Sequence, residues 1–321
     1  GEPLDKSAKP RQGGGKEAAE EAREKMKKRA RSKWITADLL GELDDLDSPV
    51  PYHHAYDCSK RIEQHDGTLT TRYCGSRWCI VCNRIRTARR IDRYGPVFRE
   101  WDENGGLQFV TLTVPNCEGG ELDDHLNEMM HQLKLCRKQI RRTRGLEYKA
   151  VRSLEVTYNE EEDTYHPHFH IAVCGRSVAI ALRDEWLKRW PKASRGGQDV
   201  RRWDGQKGSL KELTKYATKL IAPGDGEGPP PEALDVIFRA LHGRHLFRPV
   251  GFDLSEYGER VDWEDVEDVE DLKESIPAWS EPEENRIWWW DGDLGDWVDP
   301  DSGECLTGWS PDEGSPRGDP G

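Results

Sequence analysis

The sequence predicts an α+β fold in which a central antiparallel sheet carries flanking helices and follows a small cysteine-rich module. Residues 109–114 alternate apolar and polar side chains and are rich in β-branched residues, which is typical of a strand. Residues 151–173 read as two more strands around a polar turn at Asn159 to Thr164. Between these patterns, one face of a long helix is predicted by the helical spacing of Leu122, Leu126, Met129, Leu133, Cys136 and Ile140.

The net charge of −13 is distributed unevenly between two parts of the chain. The 321 residues include 48 Lys and Arg against 61 Asp and Glu. Residues 251–321 contain 23 acids and 4 bases, whereas residues 1–250 contain 38 acids and 44 bases. The overall acidity therefore does not exclude nucleic-acid binding by the larger part.

The hydropathy of the chain is used to predict where the protein is located in the cell. Hydrophobic residues make up 35% of the chain and the mean hydropathy is −0.90, so we expect disordered segments. No apolar run approaches the ~18–20 residues that a membrane helix needs. Residues 1–33 lack the apolar core of a secretory signal. We therefore expect a cytoplasmic protein with no membrane partner.

Three cysteines within a short segment predict a structural zinc site. The pattern C-x4-C-x2-C is formed by Cys74, Cys79 and Cys82. Structural zinc takes four ligands in a tetrahedron, and a short C-x2-C supplies two of them from neighbouring backbone. Cys58 is the expected fourth ligand, with His54 or His65 as alternatives. A disulfide framework is disfavoured because no secretory signal precedes it.

An arginine-rich segment follows this cluster directly. It contains Arg84, Arg86, Arg89, Arg90 and Arg93. On a helix these side chains spread over much of the surface, so a solvated face is the plainer interpretation. Beside a zinc module, they indicate contacts with nucleic-acid phosphates.

One carboxylate and two imidazoles are expected to converge on one face of the predicted hairpin. Side chains alternate along a strand, so His168 and His170 share a face. A turn centred near Glu161 pairs Glu155 with His168 on that face. Mixed nitrogen and oxygen ligands suit Mn or Mg, with zinc as an alternative. Surface histidines on a sheet are the plainer interpretation, and His166 is a further ligand, a phosphate contact or neither.

The segment 209–222 predicts a helix with reactive residues beside its buried stripe. The stripe is formed by Leu210, Leu213, Ala217, Leu220 and Ile221. Glu212, Tyr216 and Lys219 lie together on another side. In the plainer interpretation, Glu212 forms a capping box with Ser209, and Tyr216 is a boundary aromatic. In the chemical interpretation, Tyr216 is a nucleophile, Glu212 is a general base and Lys219 holds phosphate charge.

Three motifs in this order resemble the HUH endonuclease superfamily, and specifically its rolling-circle plasmid replication initiators with one catalytic tyrosine. Residues 109–116 (FVTLTVPN), 166–170 (HPHFH) and 212–219 (ELTKYATK) are similar to the family's first, metal and nucleophile motifs. The cluster CGSRWCIVC and the segment LHGRHLFRPVGF are similar to its upstream cysteines and its closing segment. The family often has proline where this chain has Ile80. The resemblance covers roughly residues 55–255 and leaves out both ends.

The resemblance implies a metal-dependent, site-specific single-strand DNA endonuclease and strand transferase with the HUH fold. His168 and His170, with Glu155, hold a divalent cation that polarises the scissile phosphate of origin DNA, which is single-stranded at the nick. Tyr216 attacks this phosphate, which leaves a 5′-phosphotyrosyl enzyme and a free 3′-OH. Lys219 stabilises charge on the phosphate or lowers the tyrosine pKa.

Termination and partners are implied in the same way. Glu212 activates water for the second cleavage, which releases the enzyme without a second tyrosine. Lys215, beside the nucleophile, joins the arginines as a DNA-binding base. A host polymerase extends the 3′-OH, and a host helicase and single-strand-binding protein are the further expected partners.

Other functions stay open at this point. A rolling-circle transposase uses the same metal motif. A relaxase is disfavoured because its tyrosine tends to precede the histidines, whereas Tyr216 follows them. A zinc-dependent DNA-binding regulator without nicking activity would have a degenerate nucleophile or metal motif, and both are intact here. The excess of Arg over Lys and the abundant acids suit a salt-adapted host such as a haloarchaeon, although a high-GC genome gives a similar bias.

Four segments are expected along the chain. Residues 1–50 form a mobile basic arm and then a short acidic helix. Residues 51–104 form the zinc module with its arginine-rich helix, and residues 105–255 form the catalytic domain. Residues 256–321 form an acidic, tryptophan-rich and largely disordered tail with a small hairpin near Ile287 to Trp297. The combination of acids and aromatic rings suggests that this tail mimics DNA, although a solubilising role is the plainer interpretation.

Overall fold

The described residues form two antiparallel sheets of five strands each. This computed structural model describes residues 15–203, 213, 228–257, 276–279 and 285–311. The helices are α1 (Gly15–Asp44), α2 (Ile80–Gly105), α3 (Leu122–Arg144), α4 (Arg176–Arg189) and α5 (Pro231–Leu241), with short 3-10 turns between them. The strands are β1 (Arg61–His65), β2 (Thr68–Thr71), β3 (Leu107–Thr113), β4 (Ala150–Asn159), β5 (Thr164–Cys174), β6 (Asp199–Arg202), β7 (Phe247–Val250), β8 (Ile276–Pro277), β9 (Arg286–Asp291) and β10 (Asp296–Val298).

The first sheet contains the predicted hairpin and has the strand order β6-β3-β5-β4-β7. β4 and β5 pair around the predicted turn, with Glu155 directly opposite His168. β3 includes the strand predicted at residues 109–114 and pairs with the other side of β5. The α+β class, the antiparallel sheet and the flanking helices are therefore confirmed.

Alternation gives this sheet two distinct faces. The metal face carries Glu155, His168 and His170, and the back face carries Leu154 and Phe169. Helices α3, α4 and α5 pack in the cluster that includes the back face. All six residues predicted for the stripe of α3 are buried. Because burying one such apolar side chain contributes about 1.5–3 kcal/mol, this stripe holds α3 on the sheet.

The metal face of this sheet is partly covered by α2. The second half of α2 contributes Tyr94, Val97, Phe98 and Trp101 to a buried cluster. That cluster also contains Val151 and Ala172, which lie two residues along their strands from Ser153 and His170. Large apolar side chains at helical spacing need a partner surface. α2 therefore bounds the candidate site on one side.

The second sheet joins the two ends of the chain in the strand order β10-β9-β1-β2-β8. β1 pairs with β9, so that Ile62 lies opposite Trp288. The hairpin expected near Ile287 to Trp297 is present as β9 and β10. The prediction of a largely disordered tail is wrong for residues 276–279 and 285–311. These residues form strands, and Trp288 and Trp297 are only 2% and 0% exposed.

From Gly15 onward, α1 takes the place of the expected mobile arm. It is one helix from Gly15 to Asp44 and includes the predicted acidic helix. Ala22, Met26 and Ala30 are buried in the cluster that contains the tail tryptophans. Their spacing of four residues forms one stripe of a helix. Most of these side chains are small, so the stripe has little hydrophobicity, and its partners are distant in sequence, in β1 and β2 and beyond residue 275.

Membrane insertion has no support from the helices. Within the described ranges, none of them combines the length and the apolar character that crossing a bilayer requires.

Candidate functional site

The hairpin of β4 and β5 brings together the three predicted metal ligands. Oε2 of Glu155 lies 3.6 Å from Nε2 of His168 and 3.5 Å from Nε2 of His170. The register places Glu155 opposite His168, and His170 follows two residues later on the same face. Their three ligand atoms lie within 4.8 Å of one another. The spacing allows one cation to contact all three side chains.

Both imidazoles are oriented by contacts with their other ring nitrogen. Nδ1 of His168 lies 3.1 Å from the backbone oxygen of His166. Nδ1 of His170 lies 3.2 Å from the hydroxyl of Thr111 on β3. Metal-ligating histidines are typically held in this way, because the outer contact fixes the tautomer and the ring plane. The Nε2 atoms are thereby directed toward Glu155.

The donor set fits a divalent cation. Glu155 is 3% exposed, and its Oε1 is buried with no hydrogen-bond partner among the residues described. A buried carboxylate oxygen without a partner costs free energy that a cation would offset. One carboxylate and two imidazoles match metals that accept mixed oxygen and nitrogen ligands.

His166 lies apart from these three ligands. Its Nδ1 is 2.8 Å from the side-chain oxygen of Asn116. Burial, followed by the neighbouring charge of His168, lowers the pKa of His166. The structure therefore places His166 in a polar contact beside the cation site.

The predicted nucleophile segment is described at one residue only. Glu212, Lys215, Tyr216 and Lys219 lie outside the described residues. Leu213 is described, and it is 1% exposed in the cluster on the metal face. It was predicted as part of the buried stripe of this segment, and its burial agrees with that prediction.

Four cysteines form a second candidate metal site. Its ligands are Cys58, Cys74, Cys79 and Cys82. Their Sγ atoms are 3.5 Å apart for Cys58 and Cys82, 3.6 Å for Cys74 and Cys82, and 3.6 Å for Cys58 and Cys79. Four sulfurs at about 2.3 Å from a central zinc ion lie about 3.8 Å from one another, whereas a disulfide brings two sulfurs to about 2.05 Å. The sulfurs are therefore spaced for a tetrahedral ion.

Neither alternative fourth ligand belongs to this group. Nδ1 of His65 lies 2.7 Å from the side-chain oxygen of Asn285 on the surface. His54 stacks edge-on against His53, with ring centroids 4.4 Å apart. Cys58 was the preferred fourth ligand, and it is the residue that the structure places with the other three cysteines.

α1 supports the cysteine site through contacts that the sequence did not predict. Nζ of Lys33 donates hydrogen bonds to the carbonyls of Tyr56 at 2.9 Å and Cys58 at 2.6 Å. Burial lowers the pKa of Lys33, and the nearby cysteines oppose that shift. The hydroxyl of Thr36 accepts a hydrogen bond from the backbone of Ile80, where α2 begins. No local pattern marked these residues, because their partners are distant in sequence.

Two of the predicted DNA-binding arginines have structural contacts. Arg86 is 6% exposed and donates hydrogen bonds to the carbonyls of Gly75 and Ser76. Arg84 donates to the hydroxyl of Ser32 on α1 at 2.8 Å, and burial lowers its pKa. These guanidiniums hold the cysteine module together, and phosphate contact stays a prediction for both.

The other three arginines lie further along α2. Arg90 stacks over the ring of Phe247 at 4.5 Å, and Arg93 donates to the carbonyl of Leu254 at 3.4 Å. Arg89 is partly exposed. Phosphate contact stays a prediction for these three residues.

A cavity of about 310 Å³ lies between the cysteine site and the metal face. Its lining includes Trp78, Arg90, Phe238 and Ser153. Ser153 pairs with His170 in the strand register. Nε1 of Trp78 is buried with no hydrogen-bond partner in the described part of the chain. The cavity therefore reaches from Cys74 of the cysteine site to Ser153, the strand neighbour of His170.

An α+β protein with a Glu-His-His site beside a four-cysteine site is, as a class, a candidate metalloprotein. The family model for replication proteins, Rep_1, matches residues 68–293, so the chain belongs to the Rep_1 family of replication proteins. This confirms the predicted resemblance to rolling-circle plasmid replication initiators. The match extends past residue 255 into the tryptophan-rich segment, which we had expected to lie outside it, and it begins after Cys58.

Curated relatives carry the name "Protein rep". One from Streptococcus pneumoniae is 27% identical over 207 residues, which are 58% of this chain and 64% of the relative. One from a Bacillus species is 32% identical and covers 38% of this chain and 41% of the relative. One from Staphylococcus aureus is 33% identical and covers 46% of this chain and 69% of the relative. The chain thus spans about two fifths to two thirds of these relatives' lengths, and no solved structure matches it.

Proposed function

We propose that this protein initiates rolling-circle replication by nicking one strand of origin DNA with Tyr216 as the nucleophile. The observation that carries the proposal is the convergence of Glu155, His168 and His170 on the metal face, where Leu213 is also buried. Three residues of chain span at most about 11 Å, so the anchored Leu213 keeps Tyr216 near this face. The membership in a replication-protein family supports the same reaction.

The chemistry proposed for Tyr216 is an in-line displacement at phosphorus. The phenolic oxygen forms a bond to the scissile phosphorus as it loses its proton, and the bond to the 3′ oxygen breaks. The 3′ oxygen leaves with a proton as the primer hydroxyl, and the 5′ phosphate stays on the tyrosine. A divalent cation, Mg or Mn, supplies charge stabilisation at the phosphate when bound. Lys219 adds a positive charge to the same phosphate.

Release of the enzyme requires a second reaction. In this proposal, Glu212 accepts a proton from water, which attacks the regenerated nick site and frees a 3′ hydroxyl. That hydroxyl then attacks the phosphotyrosine, so that a phosphodiester forms, the bond between Tyr216 and the phosphate breaks, and the tyrosine takes up the proton. Lys215 binds the strand beside the nucleophile.

Zinc in the four-cysteine site is proposed to be structural. It would hold the basic start of α2 against the sheet, since four closed ligands leave no open position for catalysis. Host polymerase, helicase and single-strand-binding protein are the partners that this reaction requires.

A nicking assay tests the proposal. The full chain with Mn²⁺ should convert supercoiled plasmid that carries the cognate origin into the nicked form. Tyr216→Phe should abolish this conversion, whereas Tyr56→Phe, at an exposed tyrosine of the cysteine module, should retain it. Nicking by Tyr216→Phe at the wild-type rate would refute the nucleophile. Origin binding without nicking by the wild-type chain would favour a zinc-dependent DNA-binding regulator, and insertion of the bound DNA into a new target would favour a transposase.

A further inference from the structure

Three arginine side chains lie close together on the back face. Arg152 on β4 lies directly opposite Arg248 on β7 in the strand register. Arg137 on α3 lies over the ring of Tyr148 at 5.1 Å, and Arg152 lies over the ring of Phe169 at 5.7 Å. In the described part of the chain, none of the three forms a hydrogen bond or an ion pair through its side chain. We call these three residues the arginine cradle.

The cradle places the buried guanidinium of Arg152 and the half-buried one of Arg137 next to the exposed Arg248. Arg152 is 4% exposed, and its Nη1 is buried without a partner, as is Nε of Arg137. Burial, followed by the charge of Arg248, lowers the pKa of Arg152 to about 10. Like charges directly opposite each other across an antiparallel pair destabilise a sheet. The cradle therefore costs the free protein stability, and an anion would offset that cost.

Further bases extend the cradle along α3. Lys134, Lys138 and Arg141 are exposed and lie on the same side of the helix as Arg137, because they recur every three or four residues. Among the described residues, these three also lack ion pairs. From residue 134 to residue 141 the helix rises about 10 Å. Double-stranded DNA carries one charge per about 1.7 Å of its axis, so this stripe can follow several phosphates.

We propose that the arginine cradle and the adjoining stripe of α3 bind the phosphate backbone of double-stranded DNA that flanks the nick site. The duplex is favoured over a single strand because single-strand sites pair bases with exposed aromatic rings. Here the rings of Tyr148 and Phe169 are only 8% and 0% exposed. The cradle lies on the face opposite the cation site, so the two surfaces contact different parts of the DNA. This inference rests on the proposed function of the protein.

Duplex binding across a range of salt concentrations tests the stripe. Lys134→Gln with Lys138→Gln removes two exposed bases, and the matched control is Lys60→Gln with Arg61→Gln, which removes two exposed bases already held in ion pairs. For a duplex of arbitrary sequence, the slope of log affinity against log salt should fall by about 2 in the stripe variant and stay unchanged in the control. An unchanged slope, or a loss confined to a length-matched single strand, would overturn the proposal.

A second variant tests the cradle itself. Arg137→Gln with Arg248→Gln should reduce the duplex salt slope by a similar amount and raise the melting temperature of the free protein. A lower melting temperature would show that the arginines are structural and would overturn the cradle. Both variants should cleave a short single-stranded oligonucleotide as the wild type does. Failure of the wild type to cleave it would contradict the proposed function and leave the duplex-binding result standing.

Discussion

Glu155 is the residue on which the candidate cation site depends most. Its Oε2 faces both histidines at 3.5–3.6 Å, whereas its Oε1 has no hydrogen-bond partner within the described ranges. A buried carboxylate oxygen without a partner lowers the stability of the protein when no cation is bound. A cation that binds only the folded state adds stability according to its concentration relative to its Kd.

The variant Glu155→Gln tests this view, because it keeps the shape of the side chain and removes its charge. We expect Mn²⁺ at 100 times its Kd to stabilise the wild type by about 2.7 kcal/mol. The same Mn²⁺ concentration should not change the melting temperature of Glu155→Gln. Glu161→Gln, at an exposed turn position, is the matched control and should respond as the wild type does. Equal Mn²⁺ responses in Glu155→Gln and the wild type would contradict the site.

The geometry around Glu155 was predictable because it depends on local rules. Alternation along two strands and the position of one turn determine which side chains face each other, and the observed register pairs Glu155 with His168. The buried role of Arg86 was not predictable in this way. An arginine beside a cysteine cluster has the same sequence pattern whether it binds phosphate or the carbonyl of Gly75.

At the scale of elements, α1 is a support for the cysteine site. Lys33 satisfies two carbonyls of the segment that leads into Cys58, and Thr36 accepts a hydrogen bond from the backbone at the start of α2. A buried acceptor that loses its donor costs about 1–3 kcal/mol. The helix therefore contributes to the stability of the cysteine module as well as to the second sheet.

Lys33→Met should destabilise the protein by about 2–4 kcal/mol, because it leaves the carbonyls of Tyr56 and Cys58 without their shared donor. It should also accelerate zinc loss to a chelator, measured with a colorimetric zinc indicator. Lys27→Met, which removes a solvent-exposed ion pair with Glu24, should change stability by less than about 0.5 kcal/mol. Equal urea midpoints for the two variants would contradict the supporting role of α1.

Elements with strong local periodicity were predicted well. α3 has a clear apolar stripe, and it is present near its predicted position. α1 was missed because its stripe is mostly alanine and its basic residues resemble a solvated arm. The stripe can be recognised once it is seen to pack with Trp288 and Trp297 of the distant hairpin.

At the scale of the whole molecule, the second sheet ties the C-terminal segment to the cysteine module. Nε1 of Trp297 donates a hydrogen bond to the carbonyl of Ser59 at 2.5 Å, next to Cys58. Deleting the chain from residue 256 would therefore remove β8 to β10 together with the acidic residues. Acids within residues 259–274 lie outside β8, β9 and β10 in the sequence, and the DNA-mimic hypothesis predicts tighter nonspecific DNA binding when they are substituted.

Two tryptophans of one hairpin test this connection. Trp297 is 0% exposed and Trp289 is 45% exposed. Trp297→Ala should cost about 3–5 kcal/mol of unfolding free energy, because it leaves a cavity in the core of the second sheet. Trp289→Ala should cost much less in the same urea titration. Similar losses in both variants would mean that the second sheet does not pack as described.

Long-range pairing explains what the sequence left unpredicted at this scale. The pairing of β1 with β9 joins strands from opposite ends of the chain, and neither strand carries a local mark of its partner. The acidic composition of the tail also led to the prediction of disorder. A composition averaged over the whole tail does not reveal that Trp288 and Trp297 are buried.

We propose above all that Tyr216 joins covalently to DNA at the site formed by Glu155, His168 and His170. The most direct measurement is peptide mapping by mass spectrometry after the full chain has reacted with single-stranded origin DNA and Mn²⁺. We expect one modified peptide, with the nucleotide on Tyr216 through its 5′ phosphate and no adduct in EDTA. An adduct on another residue, or an equal yield of the Tyr216 adduct in EDTA, would contradict the proposal.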